Sequence, residues 1–589
     1  MKDRSSDNKL LTGLFFRLLP YQILLIVINA VNGIVDSLYA SNVLGKPAMS
    51  AIGLYGPFNH FLYAASMLLV SGSQILYGKY LSRDRDRIHG LFSTDLVISA
   101  ALSLLTSALL ALGAVSGATR LLVDVPRDLE MLNSYILGQA IGIPALVLGQ
   151  QLFAFLSLEN RTKRTMAASI ACFAVNAALD HLFMVALPLG TFGLGLSSSV
   201  ASWVFLAIQA WYYLAGKSEW KFSLRSLRRG DALSIVSLGY PGALSRFVEM
   251  FRCFIVNALV LKYVGSVGLS AFAASNSLLA VVWAVPFGMV AVSRMLFSIS
   301  IGEEDRKSLI LALRVVLTRG LPVVCGIVAL LVLFAEPLTR LFYRDPADPV
   351  YAMTVMGFRL LPLCMPLAVL SLNYASYAQT MQMRRMSVVL PVTEGMLGVV
   401  LFSILLIPLM GMNGLYVANI LDGVVCFLVI FVGAWLSIGH RPGSLEDLMA
   451  IPGSFGVEAD GRIELSVRSM EQVMDISGQI VDFCKRRGID DRRANIAGLC
   501  MEEMAGNVVS HGFTKDSREH SVDIRVAHKG DAVILRIRDN CRSFDPGDRI
   551  RAMEPGPDGK NMGIRLVYSI ASDVRYQSLL GMNVLTIRI

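Results

Sequence analysis

Charge is scarce in this chain. Of its 589 residues only 16% are Asp, Glu, Lys or Arg, against 54% hydrophobic, and the mean hydropathy is +0.58. A soluble domain of ordinary composition carries about 25% charge, so a cytosolic globular enzyme is excluded for most of the length. Cysteine is sparse too: eight thiols lie scattered from Cys172 to Cys541 with no CxxC spacing, which leaves no zinc or disulfide framework and reads as reduced, buried thiols. The pattern GxxxxGK[ST] is missing, and with it a P-loop motor. No small-residue cleavage site follows a short apolar core at the N-terminus, so the first apolar run is expected to be a membrane span and not a signal peptide.

The scarcity of charge is uneven. Residues 1–445 hold 33 Lys+Arg and 22 Asp+Glu, whereas the last 144 hold 20 and 22. The first part has the composition of a membrane protein and the second that of a soluble domain. The net charge of +9 divides into +11 and −2. The positive excess lies in loops between apolar runs, where it sets membrane orientation, so no nucleic-acid partner is expected.

About 20 apolar residues cross a bilayer as a helix. Twelve such stretches occur, near 11–34, 51–78, 92–115, 131–156, 166–187, 194–215, 234–261, 270–299, 309–334, 351–380, 387–408 and 414–438; they are called spans 1 to 12 below. One side of the membrane collects clusters such as Arg83-Arg85-Arg87, Arg161-Lys163-Arg164 and Arg384-Arg385. That places both termini, and the charged C-terminal part, in the cytoplasm of a cell with an inner membrane.

The membrane part repeats itself. VLGKPAMSAIG at 43–53 aligns with VGSVGLSAFAA at 264–274, Gly45 against Gly265 and Ser50-Ala51 against Ser270-Ala271, an offset of 220. LPLGTFGLGL at 187–196 aligns with IPLMGMNGLYV at 407–417, Pro188 against Pro408 at the same offset and Gly193 against Gly414 at 221. Two six-span halves related by an axis along the membrane normal are the symmetry of a transporter whose bundles rock about a central site. The expected organisation is a first bundle at 10–217, a connecting segment at 218–233, a second bundle at 234–440, a linker at 441–460 and a cytoplasmic domain at 461–589.

Charge inside a bilayer costs at least about 2.5–3.5 kcal/mol on insertion scales, so each instance counts. Asp36 lies late in span 1 and Asp180 in span 5, one turn after Asn176 and on the same helix face. A carboxylate beside an amide can hold a proton or Na⁺ in one state and release it in another; the alternative is a structural aspartate at the interface. Pro20 removes one backbone hydrogen bond from span 1 and permits a bend. In span 7, Arg246, Glu249 and Arg252 are spaced three apart, either as an internal salt bridge or with Glu249 as a second cation site. Glu394 and Asp422 are further, weaker carboxylate candidates.

Two six-span halves, Pro20 and Asp36 in span 1, and the NxxxD of span 5 followed by a Pro-x-x-x-x-Gly turn resemble the multidrug and toxic compound extrusion (MATE) family over residues 10–440. The resemblance implies an antiporter of cationic or amphipathic small molecules driven by H⁺ or Na⁺. It implies Asp36, Asn176 and Asp180 as cation residues, Pro20 as the bending point and Glu249 as the counterpart of a functional span-7 acid in another branch. Lipid-linked oligosaccharide flippases share the architecture; that alternative requires a cavity lined by cations, for which Arg246, Arg252 and Arg359 are the candidates.

After Arg441 the apolar runs stop. IELSV at 463–467 alternates like a strand, 469–487 and 492–511 read as helices, and VDIRVAHK and AVILRIRD form a strand pair. A helix at 563–571 and the strands DVRYQS and MNVLTIRI complete an α/β sandwich. MEEMAGNVVSHG puts Glu503, Asn507 and His511 on one helix face, a carboxylate that can activate water and an amide oxygen suited to Mg²⁺, or else a solvated face. GKNMGIRLV supplies a glycine turn into a helix whose amides suit phosphate. This order resembles the GHKL ATP-binding fold, anti-sigma-factor serine kinases in particular. The resemblance implies Glu503 as general base, Asn507 as Mg²⁺ ligand, Asp539 as partner of the adenine amino group and Gly563 as the start of the phosphate-facing helix. The family's Asp-x-Gly-x-Gly box is Asp539-Asn540-Cys541-Arg542-Ser543 here, with both glycines replaced. The expected fold is therefore an all-α polytopic membrane protein of twelve helices joined to a cytoplasmic GHKL-type α/β sandwich. Its expected partners are a small-molecule substrate, membrane lipids and a cytoplasmic regulatory protein. The tail is expected to regulate the antiporter, possessing ATP and Mg²⁺ as possible ligands; in the alternative the membrane part senses a ligand and the tail acts as a serine kinase or switch.

Overall fold

A computed structural model describes residues 4–83, 87–123, 125–159, 162–216, 218, 220–302, 304–457, 459–467, 469–512, 522–539, 541, 545–547, 562–579 and 582–589. The chain forms two compact units. One comprises Phe15–Ser293 and Val315–Pro442; the other comprises Met1–Leu14, Arg294–Arg314 and Gly443–Ile589. The hairpin Arg294–Arg314, between spans 8 and 9, falls in the unit that holds the tail.

The first unit is helical. Among the described residues eight helices are long and apolar enough to cross a membrane, and the bent pair Pro126–Ala140 and Ile143–Leu158 counts as a ninth. The remaining expected spans, 1, 2 and 7, lie on the helices Arg4–Tyr39, Lys46–Arg83 and Arg229–Tyr263. Long apolar side chains remain exposed along the outer faces, Leu104, Leu109 and Leu112 on span 3 and Leu405 and Leu409 on span 11 among them. That is the surface a lipid solvent requires.

The internal repeat is written into the backbone. Gly45 and Gly265, matched at offset 220, have φ of +86° and +89° and each starts the helix that follows. Gly190 and Gly411 have φ of +62° and +57° and open spans 6 and 12. A side chain resists that conformation, so the same turn chemistry recurs in each half.

The tail is an antiparallel sheet under helices. Strands β1 (Arg462–Val467), β2 (Val522–Lys529), β3 (Ala532–Asp539), β4 (Asp573–Leu579) and β5 (Met582–Arg588) are ordered β1-β2-β3-β5-β4. Alternation sends Val522, Ile524 and Val526 of β2 and Val533, Leu535 and Ile537 of β3 into one core. There they meet Ile476, Ile480 and Phe483 of the helix Met470–Arg486, Met501 and Met504 of the helix Asp491–Asn507, and Ile564 and Val567 of the helix Met562–Ile570. The other sheet face carries Arg525, Arg536 and Arg538, all buried.

Candidate functional site

Asp36, Asn176 and Asp180 meet. The helix Thr162–His181 sets Asn176 and Asp180 one turn apart, and both are fully buried. The Asn176 amide nitrogen donates to Asp36 Oδ1 at 2.8 Å and to Asp180 Oδ2 at 2.9 Å. One nitrogen thus ties span 1 to span 5 through two carboxylates. Span 6 completes the group: Ser197 donates to Asp180 Oδ1, and Ser198 Oγ donates to Asp36 Oδ2 at 3.3 Å. Asn176 Oδ1 is buried and has no hydrogen-bond partner among the described residues. Tyr39 and His181, at the ends of the same two helices, contact through Tyr39 OH and His181 Nδ1 at 3.0 Å.

Chemically, this is a cluster of oxygens around two carboxylates, Asp180 fully buried and Asp36 half-buried. Two full negative charges there repel each other strongly, because low dielectric strengthens Coulomb interactions. Hard cations prefer such oxygen ligands. The sequence reading missed Ser197 and Ser198. Their signal was the run Ser197-Ser198-Ser199 inside an apolar helix, three hydroxyls that need partners away from water.

Pro20 lies inside the helix Arg4–Tyr39 and is exposed. Span 8 passes close to this turn, since a Cβ on Gly288 would come within 2.8 Å of Ile23 Cγ1.

Glu249 is not part of the cluster. It accepts from Arg246 NH1 at 2.8 Å and lies 3.4 Å from His60 Nδ1. Arg359, another of the cations a sugar-lipid cavity would need, pairs with Glu336 at 2.9 Å. Glu394 accepts from Ser371 at 2.9 Å, and Asp422 lies against Gly398, where a Cβ would meet its Oδ1 at 1.9 Å. Asp95, which the sequence reading passed over, is fully buried in span 3 and accepts from Ser73 at 2.6 Å. A cavity of about 390 Å³ lined by Asn42, Lys46, Tyr343 and Asp348 contains none of the expected site residues.

In the tail the structure brings Glu503 to Gly563: a Cβ on Gly563 would lie 1.9 Å from Glu503 Oε2. The absence of a side chain lets the carboxylate reach the first turn of the helix Met562–Ile570. Asn507 closes the helix that carries Glu503, before a turn at Val508–Gly512 that includes His511. Asp539 is held at the end of β3. Its Oδ1 accepts from the Cys541 amide at 2.9 Å and from Asn583 Nδ2 at 2.7 Å, and Tyr576 OH donates to Asn583 Oδ1 at 3.0 Å. Cys541 is buried against Gly512, where a Cβ would meet its own at 3.0 Å. Asn540, Arg542 and Ser543 lie outside the described residues. Among the described residues no three His, Cys, Asp or Glu side chains gather to hold a metal ion.

Residues 23–182 and 241–404 match the MatE family, and residues 467–589 match the histidine kinase-like ATPase domain. Among curated proteins the chain is 28% identical over 262 residues to a probable multidrug resistance protein NorM of Aromatoleum aromaticum, covering 42% of this chain and 56% of that protein. It is 25% identical over 239 residues to the multidrug resistance protein NorM of Vibrio cholerae, covering 39% and 52%. The match thus spans about half the length of these relatives. Among solved structures, the fold resembles an inward-facing conformation of a multidrug resistance MATE family transporter of the MOP superfamily, with TM-score 0.63, 19% identity and coverage of 73% of this chain and 98% of that one. It also resembles an outward-facing conformation, with TM-score 0.58, 19% identity and coverage of 73% and 96%.

Proposed function

The chain belongs to the MatE family, and from that membership we propose that it is a secondary antiporter exporting cationic or amphipathic compounds in exchange for H⁺ or Na⁺, with a regulatory tail. The observation that carries the reading is Asn176, whose single amide nitrogen donates to both Asp36 and Asp180. Their bonded oxygens are held within about 5.7 Å of each other by that shared donor, close enough that one bound proton or Na⁺ relieves the repulsion of two charges. A bend in span 1 at Pro20 that draws Asp36 from span 5 would divide the cluster and release the ion. Ser197 and Ser198 orient the carboxylates, Pro20 lets span 1 bend, and Glu249, ion-paired as it is, has the weaker claim to a second cation site.

The protein sits in the cytoplasmic membrane with both termini inside, in contact with lipid. The tail faces the cytoplasm, where it binds ATP with Mg²⁺ or a regulatory protein. Asn507 would hold Mg²⁺, Asp539 the adenine and the amides opening at Gly563 the phosphates. Glu503 is the base if a hydroxyl is activated; its approach to Gly563 supports that grouping.

The test is uptake of a fluorescent cationic dye into inverted vesicles under an imposed H⁺ or Na⁺ gradient. Wild type accumulates dye under one of the gradients. Asp36→Asn and Asp180→Asn each lose gradient-driven uptake while expressing and melting like wild type. Unchanged uptake in both variants removes the cation-site assignment.

A further inference from the structure

The hairpin between spans 8 and 9 carries a run of five charged residues at 303–307, and within it Glu304, Asp305 and Arg306 are each bound elsewhere in the unit that holds the tail. Glu304 Oε2 accepts from Lys529 Nζ at the end of β2, at 2.6 Å, and from the Gly456 amide at 3.1 Å. Arg306 donates to Glu446 Oε1 at 2.6 Å and to the carbonyls of Pro452 and Phe455 at 2.9 and 3.1 Å. Between them Asp305 is buried, and its Oδ2 lies 2.5 Å from Arg525 NH1 and 3.8 Å from Arg536 NH1. Ser308 donates to the same carboxylate through its amide at 3.2 Å and its hydroxyl at 2.8 Å.

The sheet explains why an anion belongs there. Arg525 of β2 and Arg536 of β3 are directly opposite in register, and like charges facing each other across two strands are destabilising. Both are buried, so the repulsion is poorly screened. The Asp305 carboxylate lies within reach of both guanidiniums, and Glu464 of β1, opposite Arg525 in register, lies 3.9 Å from Arg525 Nε, so two carboxylates face the two cations. Further along the sheet, Ser298 and Ile299 from the last turns of span 8 line a small cavity with Arg575, Val584 and Thr586 of β4 and β5. The outer face of the sheet is therefore a docking surface, and its occupant is the chain's own hairpin.

We propose that the tail regulates transport through this hairpin, with Asp305 as the ion that locks residues 304–306 onto Arg525 and Arg536. The inference rests on the regulatory reading of the tail given above and names its route. Span 8 is one continuous helix from Ser266 to Gly302. A change in the tail that loosens or tightens the sheet's hold therefore acts on the end of a membrane helix, and through it on the rocking of the second bundle. Asp305 is a positioning residue and touches no transported compound.

The experiment uses the full chain in vesicles and in detergent. Dye uptake is measured with and without Mg-ATP on the cytoplasmic face, and hydrogen exchange is read over 294–314 and over β2 and β3. Wild type responds to Mg-ATP with at least a twofold change in uptake. In Asp305→Asn and in Arg525→Gln that response vanishes and exchange over the hairpin and β2–β3 rises at least tenfold, while exchange in spans 1 to 6 stays as in wild type. Asp305→Glu, which keeps the charge, retains most of the response and separates loss of the ion pair from loss of fold. Unchanged exchange in both neutral variants overturns the lock. Raised exchange with an intact ATP response overturns the route while leaving regulation standing. A wild type indifferent to Mg-ATP overturns the regulatory reading itself and the proposal with it.

Discussion

Spans 2 and 7, from opposite halves of the repeat, cross at two glycines, and this crossing predicts the cost of adding a single methyl. A Cβ on Gly239 would lie 1.8 Å from the Leu68 carbonyl oxygen and 3.0 Å from the Gly72 nitrogen. One on Gly72 would lie 2.0 Å from the Ile235 oxygen. The obstructing atoms are backbone, so no rotamer change relieves the clash. A carbon–oxygen contact needs about 3.3 Å, and the helices must separate by more than 1 Å at either site. Overpacking of this kind costs about 1–3 kcal/mol. Alanine returns up to about 1 kcal/mol of helix propensity, a gain that any helical glycine-to-alanine control shares, so against such a control the full cost of about 1–3 kcal/mol remains, a factor of about 5 or more in the equilibrium that holds the crossing closed. Gly113→Ala in span 3 is the control, because its Cβ would meet nothing within 4 Å. Thermal unfolding of the purified full chain should put Gly239→Ala and Gly72→Ala about 2 °C or more below that control. The double variant should lose less than the sum, since both methyls act on one crossing. If both single variants melt with Gly113→Ala, the helices do not approach this closely and the reasoning fails.

Two further outcomes follow from the tail. Gly563→Ala should abolish binding of a fluorescent ATP analogue by the full chain, because the new Cβ would fall 1.9 Å from Glu503 Oε2 and one of the two must move; binding equal to wild type would separate Gly563 from any nucleotide site. For Asp305, burial alone would raise the carboxyl, but Arg525, Arg536 and the two Ser308 hydrogen bonds overrule it and hold the group below the ordinary aspartate range. A lowered folded-state value means that the stabilisation is fully present above about pH 4, the unfolded aspartate value, and is lost as pH falls through the folded one. The melting difference between wild type and Asp305→Asn should therefore stay constant from pH 8 to pH 5 and close only below about pH 4. A difference that closes between pH 7 and 5 would contradict the ion pair.

What the sequence made legible is local. Alternation placed Val522, Ile524 and Val526 on one face of β2, and helical spacing put Asp180 one turn from Asn176. The glycine matches at offset 220 reappear as matched positive φ at Gly45 and Gly265. Each of these depends on a period or a backbone preference that neighbouring residues carry themselves. Partners chosen across the chain left a fainter trace. Ser198 lies 162 positions from Asp36, and its sequence shows only a hydroxyl in want of a partner. The hairpin was assigned to the membrane bundle because spans 8 and 9 are apolar up to its edges, and apolarity says nothing of where the charged turn between them docks. Yet the demand was present in the strands. Arg525 and Arg536 alternate onto the face opposite the valines, and the short loop between AVILRIRD and VDIRVAHK sets them opposite each other. Two cations at that spacing on a covered face call for more negative charge than the half-exposed Glu464 of β1, opposite Arg525, supplies alone. Glu304-Asp305-Arg306, a charged turn between two apolar runs, is a source of one, and the structure joins that demand to that supply.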